Sequence, residues 1–203
     1  MVISSVEEQA LSGLLKITVL PESVFFIRTE YLQTVSPEKI IPGAEFCGAD
    51  EDEIVEAGIV TAAEFKAMDY IARAEQCRFR LSAKLAEKGF EPRHIKPALD
   101  YLESDGSLSD ARFARAWLSS RRINHFEGRT KLLALLLQRG ISSDTAAAAV
   151  AEFFEENDEL EICRRAYERF VRQGKEGDRL DAAMRSAGFS FRTVRDALDG
   201  ASV

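Results

Sequence analysis

The sequence predicts a mainly α protein: three tandem three-helix repeats in an elongated curved array, with a small N-terminal β-hairpin-containing region. Three observations predict it. One pattern recurs at Gly89, Gly140 and Gly188, spaced by 51 and then 48 residues. Eight residues before each glycine stands a leucine (Leu81, Leu132, Leu180), four before it Leu85, Leu136 or Met184, and directly after it Phe90, Ile141 or Phe189. The trios Ile95, Ala98 and Leu99, then Ala146, Ala149 and Val150, then Val194, Ala197 and Leu198 follow at matching distances. Such spacings put an apolar stripe on one helix, let the glycine stop it in a left-handed cap, and put a second stripe on the next helix. The period also leaves room for one more helix per copy. Alternating periodicity, by contrast, is confined to the N-terminal part.

Leu15, Ile17 and Val19 share one face, Pro21-Glu22-Ser23 turns the chain, and the β-formers Val24 to Ile27 follow, so the span Leu14–Leu32 reads as a β-hairpin. Pro37, Pro42 and Gly43 break what comes next. The acidic stretch Gly48 to Glu53 reads as a solvated turn or a helix start, where negative charge suits the dipole. With a boundary near residue 61, the expected divisions are 1–60 for the β-containing region and 61–106, 107–156 and 157–203 for the repeats. The first triplet of helices is expected at Thr61–Glu75, Arg78–Lys88 and Arg93–Glu103, and the second at Asp110–Ile123, Gly128–Arg139 and Asp144–Glu155. The third is expected at Asp158–Gln173, Asp178–Ala187 and Phe191–Leu198. Ser109, Ser142-Ser143 and Ser190 precede three of these as start signals. A start near Arg93 or His94 puts Pro97 inside the first turn, where it costs little. A copy of some 50 residues buries only roughly 60% of its surface alone, and stacking the copies remedies this.

Net charge is −7, unevenly spread: residues 1–63 carry 11 acidic and 3 basic side chains, residues 64–140 carry 10 and 15, and residues 141–203 carry 13 and 9. The acidic whole thus hides a basic middle, which governs partners more than the total does. Cys47, Cys77 and Cys163 are far apart and in no CxxC arrangement, so neither a disulfide framework nor a zinc site is expected. No basic leader or long apolar run appears, and a cytoplasmic location is expected. GxSxG, Walker and HExxH motifs are all missing from the sequence, so no catalytic role, metal or cofactor is expected.

The stretch Lys84 to Phe90 (KLAEKGF), then Leu102 through Gly106 to Ala114 (GSLSDARFA), then Gly128 to Gly140-Ile141, resembles the RecX family of recombinase regulators. The resemblance covers roughly residues 61–200, and the hairpin with its acidic segment resembles the extra region of longer members. Cys77 stands where the family usually has a Ser or Thr helix cap, Arg80 and Leu135 where glutamates are usual, and Ser109 where an aspartate is common. The resemblance implies a protein that binds the RecA recombinase filament along its groove. There it restrains filament growth, ATP hydrolysis, strand exchange and the coprotease activity that triggers the SOS response.

A basic residue stands nine positions before each repeat glycine: Arg80, Lys131 and Arg179. The expected filament- or DNA-binding residues are Arg78, Arg80, Lys84, Lys88, Arg112, Arg115, Arg121, Arg122, Arg129 and Lys131. Phosphate and acidic protein surfaces ask for the same arginines, so single- or double-stranded DNA and RecA itself are all open as first contacts. Read one by one, these side chains are solvated faces in weak ion pairs; their recurrence makes the stripe the better reading. Phe113 and Trp117 share a stripe with Ala114 and Leu118 and are expected in the core. Tyr101 and Phe126 are further aromatics near the charge. His94 and His125 are expected at the surface. The run Glu152 to Glu161 is expected to be a solvated corner. The alternative class is a helix-turn-helix-like DNA reader, against which the second copy speaks: its reading helix (SSDTAAAAVAE) lacks the Arg, Asn or Gln that address base edges.

Overall fold

The computed structural model describes residues 1–10, 13–121 and 125–199. The chain divides into two compact units. One comprises Met1–Ala74 with Leu81–Leu108, the other Glu75–Arg80 with the residues from Ser109 onward.

In the first unit, β1 (Ile3–Glu8), β2 (Leu14–Val19) and β3 (Ser23–Arg28) form an antiparallel sheet in that order. The expected hairpin is β2–β3, with Leu15 opposite Ile27 and Ile17 opposite Phe25. Strand β1 is additional: its alternation is weak, because Ser4 and Ser5 interrupt it, and its register slips between Ile3 and Ser5. Ile3, Ile17, Val19 and Ile27 pack with Val35, Ile40 and Phe46 against Ile54 and Ala57 of the first helix, α1 (Ala49–Ile71). That helix begins at Ala49 rather than Thr61. Asp50, Glu51 and Asp52 occupy its first turn, where they offset the dipole. Gly58 weakens the local helix signal by about 1 kcal/mol relative to alanine, yet packing requires it. A methyl group there would stand 2.9 Å from the Phe25 ring.

One polar cluster joins sheet, α1 and the helix α3 (Pro92–Ser104). Arg28 is 4% exposed and Glu64 3%. Arg28 Nε and Nη2 donate to the two Glu64 oxygens at 2.8 and 2.5 Å, and the Tyr31 hydroxyl donates to the same carboxylate at 2.8 Å. The Arg28 guanidinium lies 4.1 Å from the Tyr101 ring centroid. Its backbone N–H donates to Thr61 Oγ1, which donates in turn to the Ala57 carbonyl. The bond to Glu64 holds Arg28 protonated far above any accessible pH, while burial, followed by the Glu64 carboxylate, raises the Tyr31 hydroxyl well above its ordinary value. Below this cluster, Leu81 and Leu85 of α2 (Arg78–Ala86) meet Ile95, Leu99 and Leu102 of α3 and Ala67 of α1. Helix α3 starts on Pro92 at its first position, so Pro97 sits beyond the first turn, inside the helix. His94 is buried, against the surface position expected for it, with Nε2 2.7 Å from Glu56 Oε2.

The second unit holds α4 (Asp110–Arg121), α5 (Arg129–Leu137), α6 (Ser143–Glu156), α7 (Glu159–Arg172), α8 (Gly177–Ser186) and α9 (Phe191–Asp199). Leu118, Leu132, Leu136, Ile141 and Val150 build the core of the second repeat, and Cys163, Leu180, Met184 and Phe189 that of the third. Of the apolar repeat positions only Phe90, Val194 and Leu198 are less than fully buried. Gly89, Gly140 and Gly188 share φ values of 90°, 80° and 92°. In each case the N–H of the next residue reaches back to the buried residue four before the glycine: Phe90 to Leu85, Ile141 to Leu136, Phe189 to Met184. This is the Schellman closure.

Two of these glycines also receive a neighbour. A methyl group on Gly140 would stand 2.4 Å from Phe79 Cβ, and one on Gly188 2.5 Å from Lys131 Cβ and backbone N. The carbonyl just before each is bonded as well. Cys77 Sγ donates to Arg139 O at 3.4 Å, and Gly128 N–H to Ala187 O at 2.8 Å. Cys77 and Gly128 each stand twelve residues before the glycine of their own repeat, so one junction is used twice.

Three outcomes follow for stability. Glu64→Ala strands a buried guanidinium and should cost about 3–5 kcal/mol in urea unfolding, whereas the double variant Arg28→Met/Glu64→Leu should regain most of it. Gly89→Ala, with open space around it, should cost only the left-handed penalty of roughly 1–2 kcal/mol; Gly188→Ala should cost clearly more, because the Lys131 backbone cannot yield. Glu53 accepts from the Thr34 hydroxyl and from the N–H groups of Thr34, Gln33 and Val35, which hold its pKa down to about 2. A carboxylate depressed on folding stabilises fully above its unfolded value of about 4.3 and loses that contribution as pH falls towards the folded value. The stability gap between wild type and Glu53→Gln should therefore close between about pH 4.5 and pH 2.

Candidate functional site

The expected basic residues fall into both units. Lys84 and Lys88 belong to the first. Lys84 is half-buried with Nζ 5.0 Å from the Tyr70 ring centroid, and Lys88 is exposed just beyond α2. Arg78, Arg80, Arg112, Arg115, Arg121, Arg129 and Lys131 belong to the second, and Arg122 lies outside the described residues.

Within the second unit most of these cations are matched by acids. Arg112 Nε pairs with Glu75 at 2.6 Å, Arg115 with Glu152 at 3.6 Å, and Arg129 with Glu159 at 2.6 Å while its guanidinium covers the Phe154 ring. Arg121 grips Glu127 through both oxygens, at 2.6 and 2.8 Å. Lys131 and Arg80 differ: neither side chain enters an ion pair among the described residues. Lys131 lines a cleft of about 350 Å³ beside His125, Arg169 and Lys175. Arg80 is exposed on the first turn of α2.

That first turn is met by two side chains. Asp110 Oδ1 accepts from Arg78 N–H at 2.8 Å. The Cys77 sulfur lies beside the Arg80 N–H, at the position a capping hydroxyl would otherwise hold. Burial pushes the thiols of Cys77 and Cys163 up, the latter to about 11 with a further push from Glu159, so both are unreactive.

Phe113 is buried as expected. Trp117 packs only partly on the core, and its ring is covered by two guanidiniums, Arg139 at 4.3 Å and Arg121 at 4.8 Å. Phe79, which is 62% exposed, was not among the expected binding residues. The signal for Phe79 lay in the spacing. It stands two residues before Leu81, which puts it across the helix from the buried stripe. His125 is exposed, as expected. The outer face of α6 presents Asp144, Ala147, Ala148, Ala151 and Glu152, with no Arg, Asn or Gln for a bidentate contact to a purine edge and two carboxylates that phosphates repel. Among the described residues no cluster of three or more His, Cys, Asp or Glu could hold a metal, and no helix is long and apolar enough to cross a membrane.

Comparison with known proteins agrees with this architecture. Residues 65–102 match the family described as RecX, first three-helix domain, and residues 109–150 its second three-helix domain. The regulatory protein RecX of Treponema pallidum is 36% identical over 136 residues, covering 67% of this chain and 83% of that protein. That of Chromohalobacter salexigens is 32% identical, covering 65% and 88%. The fold is shared with a crystal structure of regulatory protein RecX at TM-score 0.75 and 19% identity, over 97% of this chain and 98% of that one. It is shared also with RecX from Lactobacillus salivarius at TM-score 0.60 and 15% identity, over 70% and 96%. Two family domains matched in tandem, and a relative this similar over most of its length, show that the chain belongs to the RecX family of regulatory proteins.

Proposed function

We propose that this protein binds the RecA recombinase filament and restrains it, acting in the cytoplasm on homologous recombination, DNA repair and the SOS response without catalysing a reaction of its own. Each three-helix repeat is read as one module of the arm that meets the filament. The observation that carries the reading is the set of exposed arginines in the second unit: Arg80 on the first turn of α2, Arg115 on α4 and Arg129 on α5.

Arg115 and Arg129 are half-exposed in their ion pairs with Glu152 and Glu159. Exposed pairs of this kind contribute only about 0–1 kcal/mol. Exchanging those carboxylates for a phosphate or for an acidic side chain of a partner therefore costs little, and the planar fork of arginine suits either. The basic middle of the chain steers it towards such a partner although the whole is acidic.

The test is a titration of this chain into RecA hydrolysing ATP on single-stranded DNA. The rate should fall with added protein, and Arg115→Glu/Arg129→Glu should need about tenfold more protein for the same effect while keeping its helical circular dichroism. A rate that the wild-type chain leaves unchanged would defeat the proposal.

A further inference from the structure

Phe79 is an aromatic side chain that the fold holds outward. Its inner side rests on the bare Cα of Gly140, where a methyl group would stand 2.5 Å from Phe79 Cγ and 3.1 Å from Cδ1. Backbone therefore fixes the ring, and 62% of the residue remains open to solvent. An isolated exposed phenylalanine means little. This one is flanked by arginines on both sides of the contact: Arg80 follows it on α2, and Arg139 precedes the glycine it leans on.

Those arginines lack compensation. Neither enters an ion pair among the described residues. Arg139 spends one N–H on the Leu135 carbonyl at 2.7 Å, its Nε is buried with no partner, and its guanidinium is stacked on Trp117. Burial, then the charges of Arg80 and Arg121, push its pKa down against a smaller opposing pull from Cys77 and Glu127. The neighbouring carboxylates are already engaged: Glu127 by Arg121, Glu75 by Arg112, and Asp110 by the Arg78 N–H. All of these residues lie within the second unit.

We propose that Phe79, Arg80 and Arg139 form a single-stranded nucleic-acid site, in which one unstacked base lies on the open face of Phe79 and the adjoining phosphates are met by the two arginines. The proposal deepens the filament reading, on which it rests, by assigning the chain a contact with the DNA itself. Single strands are the ligand whose chemistry uses every part of the site. A fixed aromatic ring stacks with any base, and cations beside it track the backbone. An acidic peptide would meet the arginines and leave Phe79 uncovered. A duplex keeps its bases stacked on one another and offers none to the ring.

The experiment measures fluorescence anisotropy of a labelled thymidine oligomer without RecA, beside an abasic oligomer, a duplex of equal length and poly-glutamate. Phe79→Leu should weaken binding of the thymidine oligomer roughly tenfold, in line with stacking positions elsewhere, and Phe79→Trp should restore it. The abasic oligomer should bind wild type and Phe79→Leu alike. Arg80→Ala, at an exposed position, should lower the salt slope of binding by about one. Unchanged affinity in a folded Phe79→Leu protein, or duplex or poly-glutamate bound as tightly as the thymidine oligomer, would overturn the site. Because RecA is absent, these outcomes are separate from those of the ATP hydrolysis titration, which alone decides the filament reading.

Discussion

The absence of a side chain at one backbone position per repeat is the constraint on which the second unit depends. Gly140 and Gly188 meet two demands at once. The chain must turn through the left-handed region to close the second helix, and the same Cα must admit Phe79 or Lys131 at a distance no methyl group could share. Asparagine tolerates the first demand and fails the second. The carbonyl just upstream then accepts from the residue that opens the preceding second helix, so helix ending and repeat stacking are one event. Spacing around the glycines is strict because every part of this arrangement is counted from them.

The first unit is held differently. Its sheet meets α1 and α3 through charge as well as oil, with Arg28, Glu64, Tyr31 and Tyr101 interlocked beside an apolar layer of isoleucines. Such a pair adds little over well-packed apolar residues of the same volume, but any other seating of β3 on α1 leaves two charges stranded. The cluster thus selects one docking more than it deepens it. Gly58 works in the same direction, since it lets Phe25 reach the helix surface at only one place along α1.

The parts of the fold counted from the glycines were legible in the sequence, because a left-handed cap and two apolar stripes leave fixed spacings. Helices α4 to α9 lie within a few residues of where those spacings put them. What local pattern could not show was set by tertiary contact. Strand β1 pairs although its alternation is broken by Ser4 and Ser5, and α1 runs back to Ala49 through a glycine. His94 is buried because Glu56, on another helix, provides its partner. The binding surface was less legible still. A sequence lists arginines without showing which of them acids already hold, so Arg112 and Arg121 look alike with Arg80 until Glu75 and Glu127 are placed. Phe79 escaped notice because it belongs to no apolar stripe, which is also why it faces outward.

The twice-used junction has a consequence for how the second unit breathes. The second repeat is gripped at both of its turns, through Gly140 and through Gly128, whereas the third is gripped at one turn, where Gly188 meets Lys131, and the half-exposed Arg129–Glu159 pair beside it adds little. In a row of modules coupled to nearest neighbours, the member with a single mooring opens at the lowest free energy. Loosening should therefore begin around α7 to α9 and halt at α5, so that the third repeat can detach and re-seat while the core around Leu132 and Leu136 stays closed.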